Sequence, residues 1–308
     1  MSVRNFALGG VAVVAVVGGI AVFHNGRIAV APDVATPAAS AVTGSTSTVP
    51  STESKPLKFA DRRAEAISAL SGSDSDRWIS TWRSTLSQMT ASELWDLMTD
   101  PGVSGQREAK TLRDQMIKGC TVAVGIAEKG EDQSNAVSEW CSMFARRGGM
   151  DYLREQSTAL MQDADLQSAP HQVLGPQKLR GTQAERAEEI SMLESALRQA
   201  KDPWTAKASL RSLWAYRSQF LLDDWSAVEQ LSKFQQERIR HVVSLDYACR
   251  MTSDCDANSV WVVELCALSP GLICPRGAGM DQVLAQNLSP AEIALIQKIL
   301  SKITAVKS

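Results

Sequence analysis

Four of the six cysteines of this chain lie close together in the C-terminal part of the sequence, where their thiols could bind a metal, carry redox chemistry or form disulfides. They are Cys249, Cys255, Cys266 and Cys274, in the stretch CRMTSDCDANSVWVVELCALSPGLIC. Zinc sites use tight Cys-x2–4-Cys turns, and thioredoxin-like sites need Cys-x-x-Cys. The intervals here are Cys-x5-Cys, Cys-x10-Cys and Cys-x7-Cys, which favour disulfides. We predict no metal and no cofactor.

Helices and turns must bring the paired cysteines together. Cys249 and Cys266 each end an apolar run, VVSLDYAC and VWVVELC, whereas Cys255 and Cys274 each follow in a turn rich in Gly, Ser, Asp or Pro. A local disulfide would hold each loop against the helix that it leaves. This arrangement favours the pairs Cys249–Cys255 and Cys266–Cys274, although spacing alone leaves the crossed pairings open.

The other two cysteines flank a predicted helical hairpin. The helical patterns QREAKTLRDQMIKGCTVAVGIAE and SNAVSEWCSMFARR are separated by KGEDQ, a turn centred near Gly130 and Glu131. Residues at equal distances from such a turn face each other, and Cys120 and Cys141 meet this condition. We therefore predict a Cys120–Cys141 disulfide, with two buried free thiols as the alternative.

Disulfides persist in oxidising compartments, and the N-terminal sequence offers a way to leave the cytosol. Residues 6–23, FALGGVAVVAVVGGIAVF, carry no charged or polar side chain. As a helix they would span about 27 Å, close to the ~30 Å of a bilayer core. Arg4 favours a cytoplasmic N-terminus. We predict that residues 1–27 form an uncleaved single-pass anchor in the inner membrane with the body in the periplasm; the alternative is a signal peptide cleaved after Ala31, which would leave a soluble periplasmic or secreted protein.

The composition then divides the chain further. Residues 28–57 are rich in Ala, Pro, Ser, Thr and Val and lack aromatic residues, which is typical of a disordered linker. From residue 58 onward, 3.6-residue periodicity and the lack of a convincing strand pattern predict an all-α body. The polar stretch 163–181 predicts a loop between two helical lobes, 58–162 and 182–308.

Helix starts are marked by three capping boxes, in which Ser or Thr is followed by Glu three residues later. They begin at Thr90, Thr182 and Ser289. Each predicts that a helix starts at the next residue.

The charge balance excludes one class of partner. Lys and Arg total 32 and Asp and Glu total 34, a net charge of -2. A nucleic-acid-binding protein normally carries a basic face, so we predict no nucleic-acid partner.

Catalytic patterns are sparse: the sequence contains no Gly-x-Ser-x-Gly elbow, phosphate-binding glycine loop or His-Glu-x-x-His motif. Glu264 interrupts the apolar run VWVVELCAL and is the candidate acid of an all-helical glycan-cleaving enzyme. The alternative is a carboxylate on the solvent face of an amphipathic helix. We interpret His241 as a helical residue and not as a base.

Tryptophan is abundant, with eight residues against three tyrosines. Trp78 and Trp82 are one helical turn apart and Trp95 is nearby, so together they could form an aromatic binding patch. Packing between helices is the more ordinary use of such residues.

The segment DYACRMTSDCDANSVWVVELCALSPGLIC, followed by NLSPAE, resembles the C-terminal part of uncharacterised, exported, cysteine-containing all-helical proteins of Gram-negative bacteria. The helix-to-loop cysteines are also similar to those of Sel1-like repeat proteins, which are binding scaffolds, but the Ala and Gly signatures of that repeat do not recur. The order of anchor, linker and helical body resembles membrane-anchored lipase foldases, without their Phe-Asp-Tyr motif.

These features predict a non-catalytic periplasmic protein that is tethered to the inner membrane and binds another envelope protein as a scaffold, adaptor or chaperone. The alternative function is an envelope glycan hydrolase that acts through a helix-borne carboxylate, Glu264.

Overall fold

The computed structural model describes five segments of the chain: 59–71, 75–128, 136–167, 179–269 and 271–307. These segments are helical and contain no strand, which confirms the prediction of an all-α body. The predicted anchor, 1–27, and linker, 28–57, lie outside the described residues. Among the described helices, none combines the length and the apolar character needed to cross a bilayer.

Fourteen α-helices follow one another along the described segments: α1 (Phe59–Leu70), α2 (Ser75–Ser84), α3 (Ala91–Met98), α4 (Arg107–Glu128), α5 (Ala136–Ala145), α6 (Gly149–Met161), α7 (Ala164–Gln167), α8 (Gln183–Gln199), α9 (Pro203–Ala215), α10 (Ser226–Glu229), α11 (Lys233–Thr252), α12 (Val260–Leu268), α13 (Met280–Asn287) and α14 (Pro290–Lys307). A 3-10 turn, Leu86–Gln88, connects α2 to α3. Helix α4 packs against α5, α6 and α12, and helix α11 packs against α9, α12 and α14.

Capping side chains fix where several helices begin. At the start of α3, Thr90 Oγ1 accepts a hydrogen bond from the Glu93 amide, and the Thr90 amide donates to Glu93 Oε2 at 2.8 Å. The same reciprocal pattern occurs at two other predicted positions and at one that was not predicted: Thr182–Glu185, Ser289–Glu292 and Ser232–Gln235. The three predicted capping boxes are therefore confirmed, and each such cap contributes about 1 kcal/mol.

One hydrophobic core contains residues from both predicted lobes. The Trp82 ring on α2 lies 6.2 Å from the Trp204 ring on α9 and 5.7 Å from the Trp261 ring on α12, centroid to centroid. Residues Lys55–Ser308 form one compact unit. The segments predicted as separate lobes thus share a core, because aromatic side chains far apart in sequence pack together, which local patterns do not reveal.

The predicted hairpin joins α4 and α5, which pack side by side. A disulfide links Cys120 to Cys141, with 5.3 Å between their Cα atoms. The turn itself, 129–135, lies outside the described residues. The two paired helices and their disulfide confirm the prediction.

Two further disulfides hold loops against helices, as the cysteine positions predicted. Cys249–Cys255 connects the last turn of α11 to the next loop, and Cys266–Cys274 connects α12 to the loop after it. All six cysteines are paired, so neither crossed pairings nor free thiols occur in this structure. The residue before α13, Gly279, packs closely against the loop that contains Cys255. A Cβ at this position would lie only 2.9 Å from the Cys255 carbonyl oxygen, so glycine is needed there.

Candidate functional site

A cavity of about 210 Å³ lies between α4, α9 and α12, and Glu264 lines it. Helices α4 and α9 each contribute residues separated by three, four and seven positions, a spacing that places side chains on one helical face. These residues are Thr111, Asp114, Gln115 and Lys118 on α4, and Trp204, Lys207, Ala208 and Arg211 on α9. Glu264 and Leu268 on α12 complete the wall, which combines polar, charged and apolar side chains.

The Glu264 carboxylate is buried and fully engaged, with 9% of its side chain exposed. Lys207 Nζ donates to Glu264 Oε1 and Oε2 at 2.9 and 2.7 Å. Gln115 Nε2 donates to Oε2 as well, and Trp204 Nε1 in turn donates to Gln115 Oε1 at 2.9 Å. Glu264 therefore belongs to a hydrogen-bonded network, not to the solvent face of its helix.

The lysine of this network is as constrained as the carboxylate. Only 13% of the Lys207 side chain is exposed, and its Nζ lies 5.6 Å from the centroid of the Trp261 ring, within the range of a cation–π contact. A buried ion pair offsets its desolvation cost only when both partners are present and hydrogen-bonded. Lys207 and Glu264 are therefore interdependent.

Arg211 differs from the other charged residues of the cavity. It is half-buried and lines the cavity. Among the side chains that the structure describes, it has no carboxylate within ion-pair distance and no hydrogen-bond partner. The cavity therefore carries one positive charge that the described residues leave uncompensated.

His241 is close enough to this charge cluster to respond to it. Burial lowers the pKa of His241, and the positive charges of Arg211 and Arg240 lower it further, to about 4, although Glu264 acts in the opposite direction. The imidazole is consequently neutral at pH 7. The sequence grouped none of the histidines with a carboxylate, so its proximity to Glu264 was missed.

A second carboxylate, Asp114, lines the same cavity and accepts a hydrogen bond from Lys118 Nζ at 2.6 Å. Glycan cleavage requires one carboxyl group that delivers a proton to the leaving group. A second carboxylate either attacks the sugar directly or activates a water molecule. Both carboxylates of this cavity are instead paired with lysines. The geometry suits the binding of a charged group better than proton transfer.

The predicted aromatic patch does not occur at the surface. Trp78 and Trp82 are each 1% exposed and Trp95 is fully buried. Trp95 lies in a different part of the core, with its ring centroid 4.7 Å from that of Phe144. The structure therefore corrects this prediction: the three indoles fill the space between helices and present no binding face.

Another buried carboxylate lies near the Cys249–Cys255 disulfide. Asp254 Oδ2 accepts a hydrogen bond from Trp82 Nε1 at 2.8 Å, and no cation pairs with Asp254 among the described residues. Burial raises the pKa of Asp254 to about 6, although the hydrogen bond from Trp82 acts against the rise. The Asp254 side chain is buried, and it is not among the residues that line the cavity of Glu264.

The side chains of Asp246, Cys249 and Cys255 lie close enough together to be considered as metal ligands. Cysteine binds metals as a thiolate, however, and these two sulfur atoms are joined to each other. While the disulfide is intact, the group offers only one conventional ligand, the Asp246 carboxylate.

Lys207, Arg211 and Gln115 were not predicted as site residues from the sequence. Their spacing on α4 and α9 was visible, but polar residues at such spacing usually face solvent. Only the packing of α4, α9 and α12 shows that these faces enclose a cavity.

Comparison of the chain with protein-family models, with curated proteins and with solved structures gave no match.

Proposed function

We propose that this chain is a non-catalytic protein of the bacterial cell envelope. In this proposal, residues 6–23 tether it to the inner membrane, the linker holds the body in the periplasm, and the body binds another envelope protein as a scaffold, adaptor or chaperone. The resemblances to exported helical proteins and to lipase foldases agree with this layout and stay predictions.

Two features support the proposal. Three disulfides are compatible with an oxidising, periplasmic or exported location. The Glu264–Lys207 ion pair is the main support for a non-catalytic role. It occupies the one acidic residue that the sequence singled out for catalysis. A buried carboxylate that accepts hydrogen bonds from Lys207 and Gln115 serves to hold α4, α9 and α12 together.

Chemical crosslinking followed by mass spectrometry in the native host tests the proposal. The full-length protein should crosslink to one envelope protein through a reproducible set of surface lysines, and a version lacking residues 1–27 should lose that crosslink when it stays in the cytosol. Failure to recover any specific protein, with the body shown to be folded, would contradict the proposal.

A glycan hydrolase remains the second candidate, because Glu264 and Asp114 line one cavity. The test is to incubate the full-length protein with purified cell-wall glycan and to follow the release of fragments. Cleavage that disappears in Glu264→Gln, with helical content unchanged, would establish this function and displace the first one. No release by the wild-type protein would eliminate it.

A further inference from the structure

We propose that the cavity between α4, α9 and α12 binds the carboxylate group of a small acid or of an acidic side chain, with Arg211 as the anchoring residue. The proposal goes beyond the proposed function, because it concerns one cavity and holds whether or not the body binds another protein.

The charge balance of the cavity is the first reason. Lys207 neutralises Glu264 and Lys118 neutralises Asp114. Arg211 is left as the fifth charged residue of the wall, without a carboxylate partner among the described residues. A ligand with one negative charge would complete the balance, whereas a cationic ligand would add to the excess.

The described residues around Arg211 add positive charge and supply no anion to compensate it. Arg240 and Arg211 repel each other, and Arg240 already has a partner in Glu237. His241 is neutral at pH 7, so it neither adds to the positive charge of Arg211 nor compensates it. Because the site is partly buried, water screens the Arg211 charge less than it would at the surface.

The chemistry of arginine selects the ligand class. A guanidinium group presents a planar fork of N–H donors that matches the two oxygens of a carboxylate. A carboxylate bound to Arg211 would therefore be stabilised both by the opposite charge and by two parallel hydrogen bonds. Because this side chain is half-buried, it has fewer conformations to lose when a ligand binds, and the entropy cost of binding is smaller.

The size of the cavity limits the ligand. At about 210 Å³ it is smaller than the roughly 300–1,000 Å³ typical of sites for drug-sized molecules. A short acid, or the end of a Glu or Asp side chain, is of the right scale. Trp204 and Leu268 supply apolar wall area for the methylene groups of such a ligand.

Fluorine NMR of the full-length chain in detergent micelles, labelled with 5-fluorotryptophan, tests the proposal. The chain has eight tryptophans, and the Trp204 signal can be assigned by its loss in Trp204→Phe. Sodium butyrate represents a free acid with one carboxylate, and N-acetyl-glutamate methylamide represents an acidic side chain. We expect at least one of them to shift the Trp204 signal saturably, with sodium chloride at equal ionic strength as the baseline.

Neutral ligands and matched variants make the test specific. N-acetyl-glutamine methylamide, which has the same shape without the charge, should give no saturable shift. Arg211→Gln should weaken binding at least tenfold. Arg217→Gln, which removes an exposed arginine paired with Glu229 outside the cavity, should change it less than twofold.

The outcomes separate cleanly. Tighter binding of butyrate would indicate a free acid as the ligand, and tighter binding of the blocked glutamate would indicate an acidic side chain of a partner. No saturable shift with either acid, an equal shift with the neutral amide, or unchanged affinity in a folded Arg211→Gln variant would overturn the proposal. If Arg211→Gln does not fold, the comparison of acid with amide in the wild-type protein decides.

Discussion

Two of the buried carboxylates, Glu264 and Asp254, lie in opposite kinds of surroundings. Glu264 lies beside a cavity and is paired with Lys207. Asp254 is buried and accepts a hydrogen bond from Trp82, and it has no cation partner among the residues that the structure describes. At the first site the positive charge of Lys207 lies against the Glu264 carboxylate. The second tolerates a carboxyl group whose pKa is raised to about 6.

The difference shows how burial alone fails to identify a functional acid. Both side chains are in the interior, yet Glu264 faces a cavity with charged walls and Asp254 faces a tryptophan. A raised carboxyl pKa often marks catalytic sites, but structural networks raise it too. Here the strongly shifted acid, Asp254, is not among the residues that line the charged cavity.

The largest expected effect comes from removing the cation of the first site. Lys207→Met leaves Glu264 buried without its partner and should lower the free energy of unfolding by about 3–5 kcal/mol. The double variant Lys207→Met/Glu264→Gln should recover part of this loss. Urea unfolding of the full-length chain, followed by circular dichroism, measures both.

Lys118→Met is the matched control, because it removes the lysine of the more exposed pair in the same cavity. It should cost less than about 1 kcal/mol. Equal losses in the two lysine variants would remove the distinction between a compensated buried charge and a surface pair.

The pH dependence of stability should separate Asp254 from His241, whose shifts have opposite signs. The pKa of Asp254 in the folded protein is about 6, above the ordinary 3.8, so its favourable contribution is complete below pH 3.8 and is lost as the pH rises through 6. The pKa of His241 is about 4, below the ordinary 6.5, so its contribution is complete above pH 6.5 and is lost as the pH falls through 4.

Two variants read these contributions separately. The difference in unfolding free energy between Asp254→Asn and wild type should depend on pH. It should favour the variant more at pH 8 than at pH 4, by on the order of 3 kcal/mol. For His241→Gln, the same difference from wild type should favour the variant more at pH 4 than at pH 8. Thermal unfolding between pH 4 and 8 measures both differences, and slopes of the same sign would contradict the assignment.

Disulfide removal should give a somewhat smaller effect that also distinguishes the regions. Cys120 and Cys141 are 21 positions apart, and replacing both by Ser should cost about 3 kcal/mol. Cys249 and Cys255 are 6 positions apart, which gives about 2 kcal/mol.

Only the second of these replacements should affect the neighbouring acid. Opening the Cys249–Cys255 loop admits water to Asp254, so its pKa should fall toward the ordinary value. The Cys120/Cys141 variant should leave that pKa unchanged. NMR titration of the Asp254 carboxyl carbon checks this, and an equal change in both variants would refute it.

The smallest expected effect is that of Trp82→Phe, which removes the N–H that donates to Asp254. The loss should be about 1–2 kcal/mol, and the pKa of Asp254 should rise further. Trp78→Phe is the control, because its N–H donates to Gln106 instead. A similar pKa change in both variants would show that Trp82 does not act through its hydrogen bond.

The sequence predicted the features that depend on nearby residues. The pairs Cys249–Cys255 and Cys266–Cys274 span 6 and 8 positions, so the end of a helix and the following turn were enough to suggest them. The capping boxes are local for the same reason, and the hairpin disulfide follows from the symmetry about one turn.

The candidate site depends on contacts that no local pattern contains. Lys207 and Gln115 lie 57 and 149 positions from Glu264, and Trp82 lies 172 positions from Asp254. Three helices must pack before these side chains meet. For this reason the sequence singled out Glu264 but assigned it no partner. It also left Trp78, Trp82 and Trp95 open between a binding patch and packing between helices.

An exported body held together by three disulfides is the basis of the proposed function, and peptide mapping without reductant tests it most directly. Full-length protein purified from the cell envelope should yield three linked peptide pairs: Cys120–Cys141, Cys249–Cys255 and Cys266–Cys274. Recovery of six free thiols from folded protein, or of the mature chain only from the cytosol, would contradict this assignment.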